Sequence, residues 1–411
     1  MRGRLALLVA AVLAVSLASS SGRGHDAAAA LGPSGPAPRL AYDPADRQGV
    51  IDAFYDRWLR NQKVPLGWTG SVSDCKPGQV SDAARAATLG QINYFRTAAG
   101  LRPVTLDPDL ATVAQRTALM MDANDQLSHD PPDSWACRSD AADRLAGRSN
   151  LALGSSAHGA MAITRYVLDS ANAYAGHRRW LLNPRTAVMS AGSTAQANAV
   201  AVVGMPQHSL SVPRWVPWPS AGYFPEPLEP EGRWSLSASN PHTDFSYASV
   251  SITDAAGVRY PVKTFPAVDG FGPSTLVWQV SDLRRPAVGE NLAYTVRVSG
   301  IHRYGERIAA VSYTVTLVRP DRVARVVESP QVMGSFSPGH ELTATPGTWY
   351  PRTNQVTFQW HRDGVALPGA TDPSYVVSSG DVNHTLSVVV RAAPTYYVPG
   401  RVVLGGRVHS G

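Results

Sequence analysis

Hydrophobic residues follow a helical period in the first half of the chain, over residues 44–205. A first helix is predicted to begin at Ser81 or Asp82, whose side chains suit an N-cap, and to end at Gly100. The apolar residues of its buried face recur at spacings of three, and they are Leu89, Ile92 and Phe95.

Two further helices follow the same period. The second has Asp107 as N-cap and Pro108 in its first turn, and it is predicted to stop near LSHDPP because Pro131 disfavours a helical residue before it. The third is predicted from about His158 to Asp169. Two short apolar stretches, TAVMSAG and ANAVAVVG, have the length of buried strands. Helices packed on a short sheet make residues 44–205 a layered α+β unit, here called the head.

Apolar and polar positions alternate from residue 233 onward. The alternation runs through RWSLSAS, YASVSIT, TLVWQVS, NLAYTVRVS and RIAAVSYTVTLV. Its clearest apolar positions are Val311, Tyr313, Val315 and Leu317. Several alternating strands separated by turn residues predict an antiparallel β-sandwich over residues 233–320.

A second all-β unit is predicted over residues 329–411. One of its strands ends in Asp363-Gly364, which is a hairpin signal, and HTLSVVVRA supplies another strand. The apolar residues on one face of the first strand are Val356, Phe358 and Trp360. The unit contains no cysteine, so its stability must come from packing.

Three segments show neither pattern. Residues 1–18 place Arg2 and Arg4 before an apolar run, which predicts a secretory signal peptide. Residues 19–43 are rich in Ala, Gly, Pro and Ser and are predicted to be a disordered linker. Residues 206–232 are rich in Pro and Trp, too broken for a helix, and are predicted to be a rigid connector.

The apolar run also bears on location. It is shorter than the roughly 20 residues that a membrane span needs, and no later run approaches that length. We therefore expect no membrane span, and a protein that is secreted or held at the cell surface.

The charge of the chain argues against a nucleic-acid partner. The formal net charge is +6, and the positive charge is almost all arginine, scattered along the chain. Scattered charge favours solubility and provides no basic stripe of the kind that nucleic acid requires.

Cys75 and Cys137 are the only cysteines, and both lie in the head. An exported protein meets oxidising conditions, so a disulfide between them is the leading interpretation. Two free thiols or a metal pair is the weaker alternative, because no CxxC motif or nearby histidine supports it.

Four segments of the head, in order, resemble the CAP superfamily of cysteine-rich secretory, antigen 5 and plant pathogenesis-related proteins, in its bacterial secreted branch. The segments are QINYFRTAAGLRPVTLDPDL, LSHDPP, RSNLALG and GHRRWLLNP, and the resemblance covers about residues 81–204. It implies an α-β-α sandwich with a central cleft. In that family two histidines and two acidic residues commonly line the cleft and can hold a divalent cation.

The resemblance places the two histidines at His129 and His177, which are the candidate catalytic and metal-binding residues. Ser149 stands where the family has a glutamate, and Asn150 follows it as a further candidate for the ligand cleft. A serine hydroxyl is a poor metal ligand, so the absence of an acidic partner weakens the expectation of a divalent cation such as zinc. Three carboxylates are possible substitutes for that partner: Asp130, Asp143 and Asp169.

A structural interpretation of the same residues stands beside the functional one. His177 could bond a backbone carbonyl beside Trp180, and His129 could cap the end of its own helix. Arg178 and Arg179 are expected to send their guanidinium groups to solvent or to a carboxylate. Asn150 is expected to tie down a turn through its amide. The residues expected in the core are Trp180, Leu181 and Leu182.

Residues 329–393 resemble the Ig-like repeats of bacterial surface proteins. The resemblance rests on GSFSPGHELTATPGTW, FQWHRDGVALPGATDPSYVV and LSVVVRA, and it implies that Trp360 is a buried core tryptophan. With the preceding sandwich it makes two tandem Ig-like domains after the head. The abundance of Arg, Ala and Gly fits an actinobacterial chain.

Three functions remain open. The first is a non-enzymatic binding protein whose two-histidine cleft takes a lipid, a glycan, a cation or a protein of the cell envelope. The second is a hydrolase of peptide or cell-wall material that uses the same cleft, although the chain contains no GxSxG, HExxH or Walker motif. The third is a structural or adhesive envelope protein.

Overall fold

A computed structural model of the chain describes residues 43–204, 211–394 and 397–410, together with the backbone of a short strand β1 (Ala29–Ala30). The predicted signal peptide, residues 1–18, lies outside the described residues. So does the predicted linker, residues 19–43, apart from Asp43 and β1. Strand β1 runs parallel to residues 311–312.

The head consists of seven α-helices and four strands among its described residues. In chain order they are α1 (Arg47–Ala53), α2 (Arg60–Gln62), α3 (Asp82–Ala98), β2 (Thr105–Leu106), α4 (Pro108–Asn124), α5 (Asp140–Ala146), β3 (Ser149–Leu153), α6 (Gly159–Leu168), α7 (Gly176–Leu181), β4 (Val188–Ser193) and β5 (Ala197–Ala201). A π-helical segment, Phe54–Leu59, joins α1 to α2.

Helices cover the head's sheet on both faces. The strand order is β2-β4-β5-β3, with β2 parallel to β4 and the other pairs antiparallel. Successive residues of a strand point to opposite faces. Ala199 of β5 packs in one buried cluster with residues of α4 and α5, whereas Val200 packs in another with residues of α3 and α6. The head is therefore an α-β-α sandwich.

Capping side chains set the starts of the two long helices as predicted. Ser81 Oγ accepts a hydrogen bond from the Ala84 amide, and Asp107 Oδ1 accepts bonds from the amides of Asp109 and Leu110. Helix α4 stops shortly before LSHDPP, and Pro131 is not what ends it. The helix ends at Asn124, because Asp125 adopts a left-handed conformation that ends the helix there.

The first all-β unit has twelve strands among its described residues. They are β6 (Trp215–Trp218), β7 (Gly222–Pro225), β8 (Arg233–Ala238), β9 (Thr243–Asp244), β10 (Ser249–Asp254), β11 (Arg259–Tyr260), β12 (Val262–Phe265), β13 (Thr275–Val280), β14 (Asn291–Ser299), β15 (His302–Arg303), β16 (Glu306–Arg307) and β17 (Val311–Val318).

These strands form two facing sheets and a small ribbon, here called the first sandwich. One sheet has the order β1-β17-β14-β10-β11, with β7 also paired to β17, and the other has the order β12-β13-β8-β6. Strands β9, β15 and β16 form the ribbon. Residues of both sheets share the core, among them Trp234, Trp278, Val296 and Val315.

The segment predicted as a connector, residues 206–232, is part of the first sandwich where it is described. Its Trp215–Trp218 stretch pairs with β8, and its Gly222–Pro225 stretch pairs with β17. Two prolines in these stretches are compatible with strands because both strands lie at sheet edges, where a missing amide is tolerated.

One core connects the head to the first sandwich. The Phe95 ring of α3 lies edge-on to the Trp218 ring of β6, with centroids 5.7 Å apart. Phe224 then packs edge-on to Trp218 at 5.1 Å. Both domains contribute to the same continuous cluster of buried residues.

The last all-β unit begins a few residues before the predicted boundary at 329. Its strands are β18 (Arg325–Glu328), β19 (Val332–Met333), β20 (Glu341–Ala344), β21 (Thr348–Tyr350), β22 (Val356–Arg362), β23 (Val365–Ala366), β24 (Ser374–Val376), β25 (Thr385–Ala392) and β26 (Gly400–Arg407). The sheets are β18-β21, β19-β20-β24 and β23-β22-β25-β26. Trp360 is fully buried in a core separate from that of the first two units, as predicted.

The predicted disulfide is present, and it joins Cys75 to Cys137. It links the loop before α3 to the loop before α5. No helix in the described part of the chain is long and apolar enough to cross a membrane.

Candidate functional site

His177 is held at the start of α7 by the carboxylate of Asp169. Its Nδ1 lies 3.0 Å from Asp169 Oδ1, and its backbone amide donates to Oδ2 at 3.0 Å. Asp169 ends α6 in a left-handed conformation, and its side chain is buried. A carboxylate accepts a hydrogen bond from a protonated Nδ1, so this contact leaves the lone pair of Nε2 on a neutral His177.

Tyr166 supports the other side of the His177 ring. The two ring centroids are 5.3 Å apart. The Tyr166 hydroxyl lies 3.0 Å from Asn198 Oδ1 and 3.2 Å from the Asn150 carbonyl oxygen. Burial raises the pKa of Tyr166 well above its usual value, so the hydroxyl stays a donor. The sequence does not distinguish Tyr166 as a site residue, because its position in a helical pattern indicates only a core aromatic.

Asn150 connects strand β3 to helix α7, so its amide bonds a helix residue rather than a turn. Its Nδ2 donates to the His177 carbonyl oxygen at 3.0 Å, and its side chain is buried.

Ser149 precedes Asn150 on the same strand, but its side chain makes a different hydrogen bond. Ser149 Oγ donates to the Leu145 carbonyl at 2.7 Å and is buried, so the hydroxyl is bonded to backbone rather than to an imidazole.

His129 lies in the loop between α4 and α5, and its side chain is exposed. Its Nδ1 lies 2.8 Å from the carbonyl oxygen of Ala146, the last residue of α5. A carbonyl only accepts, so Nδ1 carries the hydrogen, and a neutral His129 has its lone pair at Nε2. The expectation that His129 caps its own helix is wrong: α4 ends at Asn124, and the ring caps α5.

Both candidate histidines are attached to one short connection, residues 146–150. His129 bonds its first residue through the ring, and His177 bonds Asn150 through its backbone carbonyl. Each ring therefore has its Nδ1 occupied and its Nε2 available. A common cleft between the two rings stays a prediction.

Of the three carboxylates considered as a substitute acid, only Asp169 contacts a candidate histidine. Asp143 binds Arg138 at 2.6 Å instead, and Asp130 is exposed in the loop of His129. Within the described residues no group of three or more His, Cys, Asp or Glu side chains could hold a metal ion. Two imidazoles without a third ligand do not make a complete zinc site.

The two arginines after His177 are buried, so the expectation that they reach solvent or a carboxylate is wrong. Arg178 donates to the carbonyl of Arg233 at 2.8 Å. Arg179 donates to the carbonyls of Val268 and Pro273, both at 2.9 Å. All three acceptors belong to the first sandwich, so these side chains fasten α7 to it.

Comparison with protein families identifies the region that carries these residues. Residues 89–203 match the model of the family described as CAP, the cysteine-rich secretory protein family. These residues form a CAP domain. The match includes all four residues predicted to line the cleft of the CAP domain: His129, Ser149, Asn150 and His177.

The chain also has weak similarity to solved structures of immunoglobulin-like and fibronectin(III)-like domains. The chain is 12% identical to the first two immunoglobulin domains of DIP-gamma, over 46% of this chain and 93% of that one, with a TM-score of 0.18. The chain is 13% identical to the amphioxus IgVJ-C2 molecule, over 44% of this chain and 97% of that one, with a TM-score of 0.16. It is 14% identical to the fibronectin(III)-like modules of Clostridium thermocellum CbhA, over 45% of this chain and 88% of that one, with a TM-score of 0.12. All three TM-scores are too low to indicate a shared fold. A search of curated proteins finds no match.

Proposed function

We propose that the chain is an exported CAP-domain protein whose head binds a ligand of the cell envelope without transforming it. The observation that carries the proposal is the state of the two histidines. In its neutral form each imidazole gives its Nδ1 hydrogen to a fixed acceptor of the protein and keeps the lone pair of Nε2. A lone pair held in this way accepts a hydrogen bond from a ligand hydroxyl.

The ligand class that fits this arrangement best is a glycan, because sugar hydroxyls are the donors that two imidazole acceptors require. The arrangement fits a lone cation less well, since zinc prefers four protein or water ligands and the described residues supply two imidazoles. The role of the two all-β units in this proposal is to mount the head on the outside of the cell. Export through residues 1–18 agrees with the disulfide of the head.

One observation favours a hydrolase as the second candidate. The Asp169 and His177 pair has the geometry of an oriented general base, in which a carboxylate fixes the imidazole through Nδ1. A water molecule would be the nucleophile in that case. Ser149 is unsuited to the role, because its hydroxyl is buried and bonded to the Leu145 carbonyl.

Co-sedimentation of the full-length protein with purified cell walls tests the binding proposal. His129→Ala is the cleaner variant, because the ring is exposed and its removal leaves the buried core intact. We expect the dissociation constant to rise about tenfold in His129→Ala and in His177→Ala, because each variant loses one hydrogen bond of about 1.4 kcal/mol. His340→Ala, in the exposed loop before β20, is the matched control. Wild-type affinity in both site variants would contradict the proposal.

Release of soluble fragments from peptidoglycan or casein separates the two candidates. The binding proposal expects release no faster than in buffer. If the wild type releases soluble fragments and both Asp169→Asn and His177→Ala fail to do so, the hydrolase is established instead. Metal analysis of the same preparations tests for a cation site. Stoichiometric metal in the wild type, lost in both histidine variants, would show such a site.

A further inference from the structure

Two arginines of the first sandwich face the same tryptophan. The guanidinium carbon of Arg214 lies 5.4 Å from the Trp215 ring centroid, and that of Arg303 lies 5.9 Å from it. Arg214 directly precedes β6, whereas Arg303 is in β15 of the small ribbon. Two positive groups from distant parts of the chain therefore meet at one aromatic ring.

Neither arginine has an acidic partner within ion-pair distance among the described residues. Glu306 is paired with Arg303 in the register of the ribbon, yet the two side chains form no ion pair. Nε of Arg214 and both Nε and Nη2 of Arg303 are buried without a hydrogen-bond acceptor in the described part of the chain. Buried donors of charged groups that lack acceptors are costly.

The two positive charges also act on each other. Burial lowers the pKa of Arg303, and the positive charge of Arg214 lowers it further. Thr243 lies opposite Arg303 in the ribbon, is buried, and its hydroxyl has no partner among the described residues. An unneutralised pair of guanidinium groups is suited to an anion such as a carboxylate.

An exposed aromatic ring stands at the tip of the same ribbon. Tyr304 is 69% exposed, and it has a left-handed backbone with φ of 52°, followed by Gly305 with φ of 84°. A bulky residue rarely adopts that conformation, so it is unusual at an otherwise ordinary hairpin tip. The ring is supported from one side, with the His242 ring centroid at 4.7 Å, and its hydroxyl is 3.5 Å from Asn240 Nδ2.

We propose that Arg214, Arg303 and Tyr304 form a binding site for an acidic polysaccharide. The carboxylate of a uronic-acid unit binds, through charge-assisted hydrogen bonds, at the guanidinium nitrogens that are not buried, which are Nη1 and Nη2 of Arg214 and Nη1 of Arg303. The ring of Tyr304 packs against the apolar face of a neighbouring sugar, with the Asn240 amide and the tyrosine hydroxyl as polar contacts at its edge. Tyr304 directly follows Arg303 in the chain, so the ring and that guanidinium group belong to the same short ribbon.

The structure favours a glycan over the other polyanions. A nucleic acid requires a longer basic stripe than two arginines, and the positive charge of this chain is otherwise scattered. A neutral sugar would engage Tyr304 and leave both guanidinium groups without an anion. An acidic sugar chain satisfies the ring and the charges together. The site lies on the first sandwich, and the proposal does not depend on the histidines of the CAP domain.

Affinity electrophoresis and calorimetry of the full-length protein with polygalacturonate test the site, with dextran as the neutral polymer of comparison. We expect measurable binding to polygalacturonate that weakens as NaCl rises, because exposed charges are screened. We expect little binding to dextran. Arg214→Gln with Arg303→Gln should weaken binding by at least about tenfold, which is the loss of one charge-assisted bond or more.

Two further variants keep the test decisive if the double variant unfolds. Arg303→Lys retains the charge and loses the planar fork, so we expect a dissociation constant raised about threefold to tenfold with an unchanged melting temperature. Tyr304→Ala, at an exposed hairpin tip, should weaken binding several-fold without loss of stability. Arg401→Gln, on exposed strand β26 of the last unit, is the matched control and should bind as the wild type does.

Three results would each overturn the proposal. The first is equal affinity for polygalacturonate and dextran. The second is wild-type affinity in a folded Arg214→Gln/Arg303→Gln protein. The third is an equal loss of affinity in Arg401→Gln, which would show attraction by net charge alone.

Discussion

The side chain of Arg178 is 1% exposed, and its guanidinium group contacts only oxygens of the chain. It donates to the carbonyls of Val167, Leu168 and Arg233 and to the hydroxyl of Ser235. Burial lowers its pKa to about 10, and the carboxylate of Asp169 acts in the opposite direction. At neutral pH the group therefore stays charged, and its hydrogen bonds offset the cost of burying that charge.

Replacing Arg178 with alanine should destabilise the protein strongly. We expect a loss of about 3–5 kcal/mol in the free energy of unfolding, because four oxygens lose a buried donor at once. Urea denaturation followed by tryptophan fluorescence measures it. Arg57→Ala, on the exposed face of the π-helical segment, should change the free energy by less than about 0.5 kcal/mol. A similar small change for Arg178→Ala would refute the interpretation of this residue as an anchor.

Single residues show how far sequence reasoning reaches in this chain. The burial of Leu181 and Leu182 was predictable, since apolar residues default to the core. The burial of Arg178 was not, because charged residues default to the surface and its acceptor at Arg233 lies 55 positions away. The sequence left three carboxylates as candidate partners of the histidines, and only the fold shows that Asp169 contacts His177.

At the scale of elements, local signals predicted starts better than stops. Asp107 and Pro108 mark the beginning of α4 through their own chemistry, whereas its end depends on Asp125 adopting a left-handed backbone. The strands of residues 215–225 were missed for a related reason. Their tryptophans and prolines form no alternating pattern, and only pairing with β8 and β17 makes them strands.

The disulfide is the element-scale feature with the clearest energetic consequence. Its cysteines are 62 residues apart, and closing a loop of that length stabilises a fold by about 4 kcal/mol in the chain-entropy model. The double variant Cys75→Ala/Cys137→Ala should lose about 2–4 kcal/mol of stability in urea denaturation. Dithiothreitol should destabilise the wild type by a similar amount and leave the double variant unchanged. An equal effect of dithiothreitol on both proteins would contradict this account.

At the scale of the whole molecule, one buried core spans the head and the first sandwich, two smaller buried clusters lie within the head, and the last unit has a core of its own. Cooperative unfolding follows shared packing. Differential scanning calorimetry should therefore show one transition for the head with the first sandwich and another for the last unit. Arg178→Ala should lower only the first transition temperature. A single transition, or a lowering of both, would contradict the division into two cooperative units.

The last unit should also respond to acid through one buried carboxylate. Burial alone would raise the pKa of Asp381, but hydrogen bonds from Ser378, Tyr375 and Arg362 outweigh it and lower the pKa. A carboxyl group whose pKa is lower in the folded state contributes stability that is fully present above its unfolded value. That contribution is lost as the pH falls through the folded value.

The last unit's transition temperature should therefore fall more steeply in the wild type than in Asp381→Asn when the pH is lowered from about 5 to about 2. At pH 7 the variant should be less stable by about 2–4 kcal/mol, since Arg362 loses its buried partner. Calorimetry at several pH values measures both. Parallel pH profiles of wild type and variant would exclude Asp381 as the acid-sensitive group.

The contact between Phe95 and Trp218 also decides where the polypeptide can be cut. A fragment that stops at residue 205 would present the Phe95 ring and the Arg178 guanidinium group to water, stripped of the surfaces that cover them. Grafting this CAP domain onto another scaffold, or expressing it by itself, therefore requires a fragment that continues through Val318. That residue ends β17, the last strand of the first sandwich.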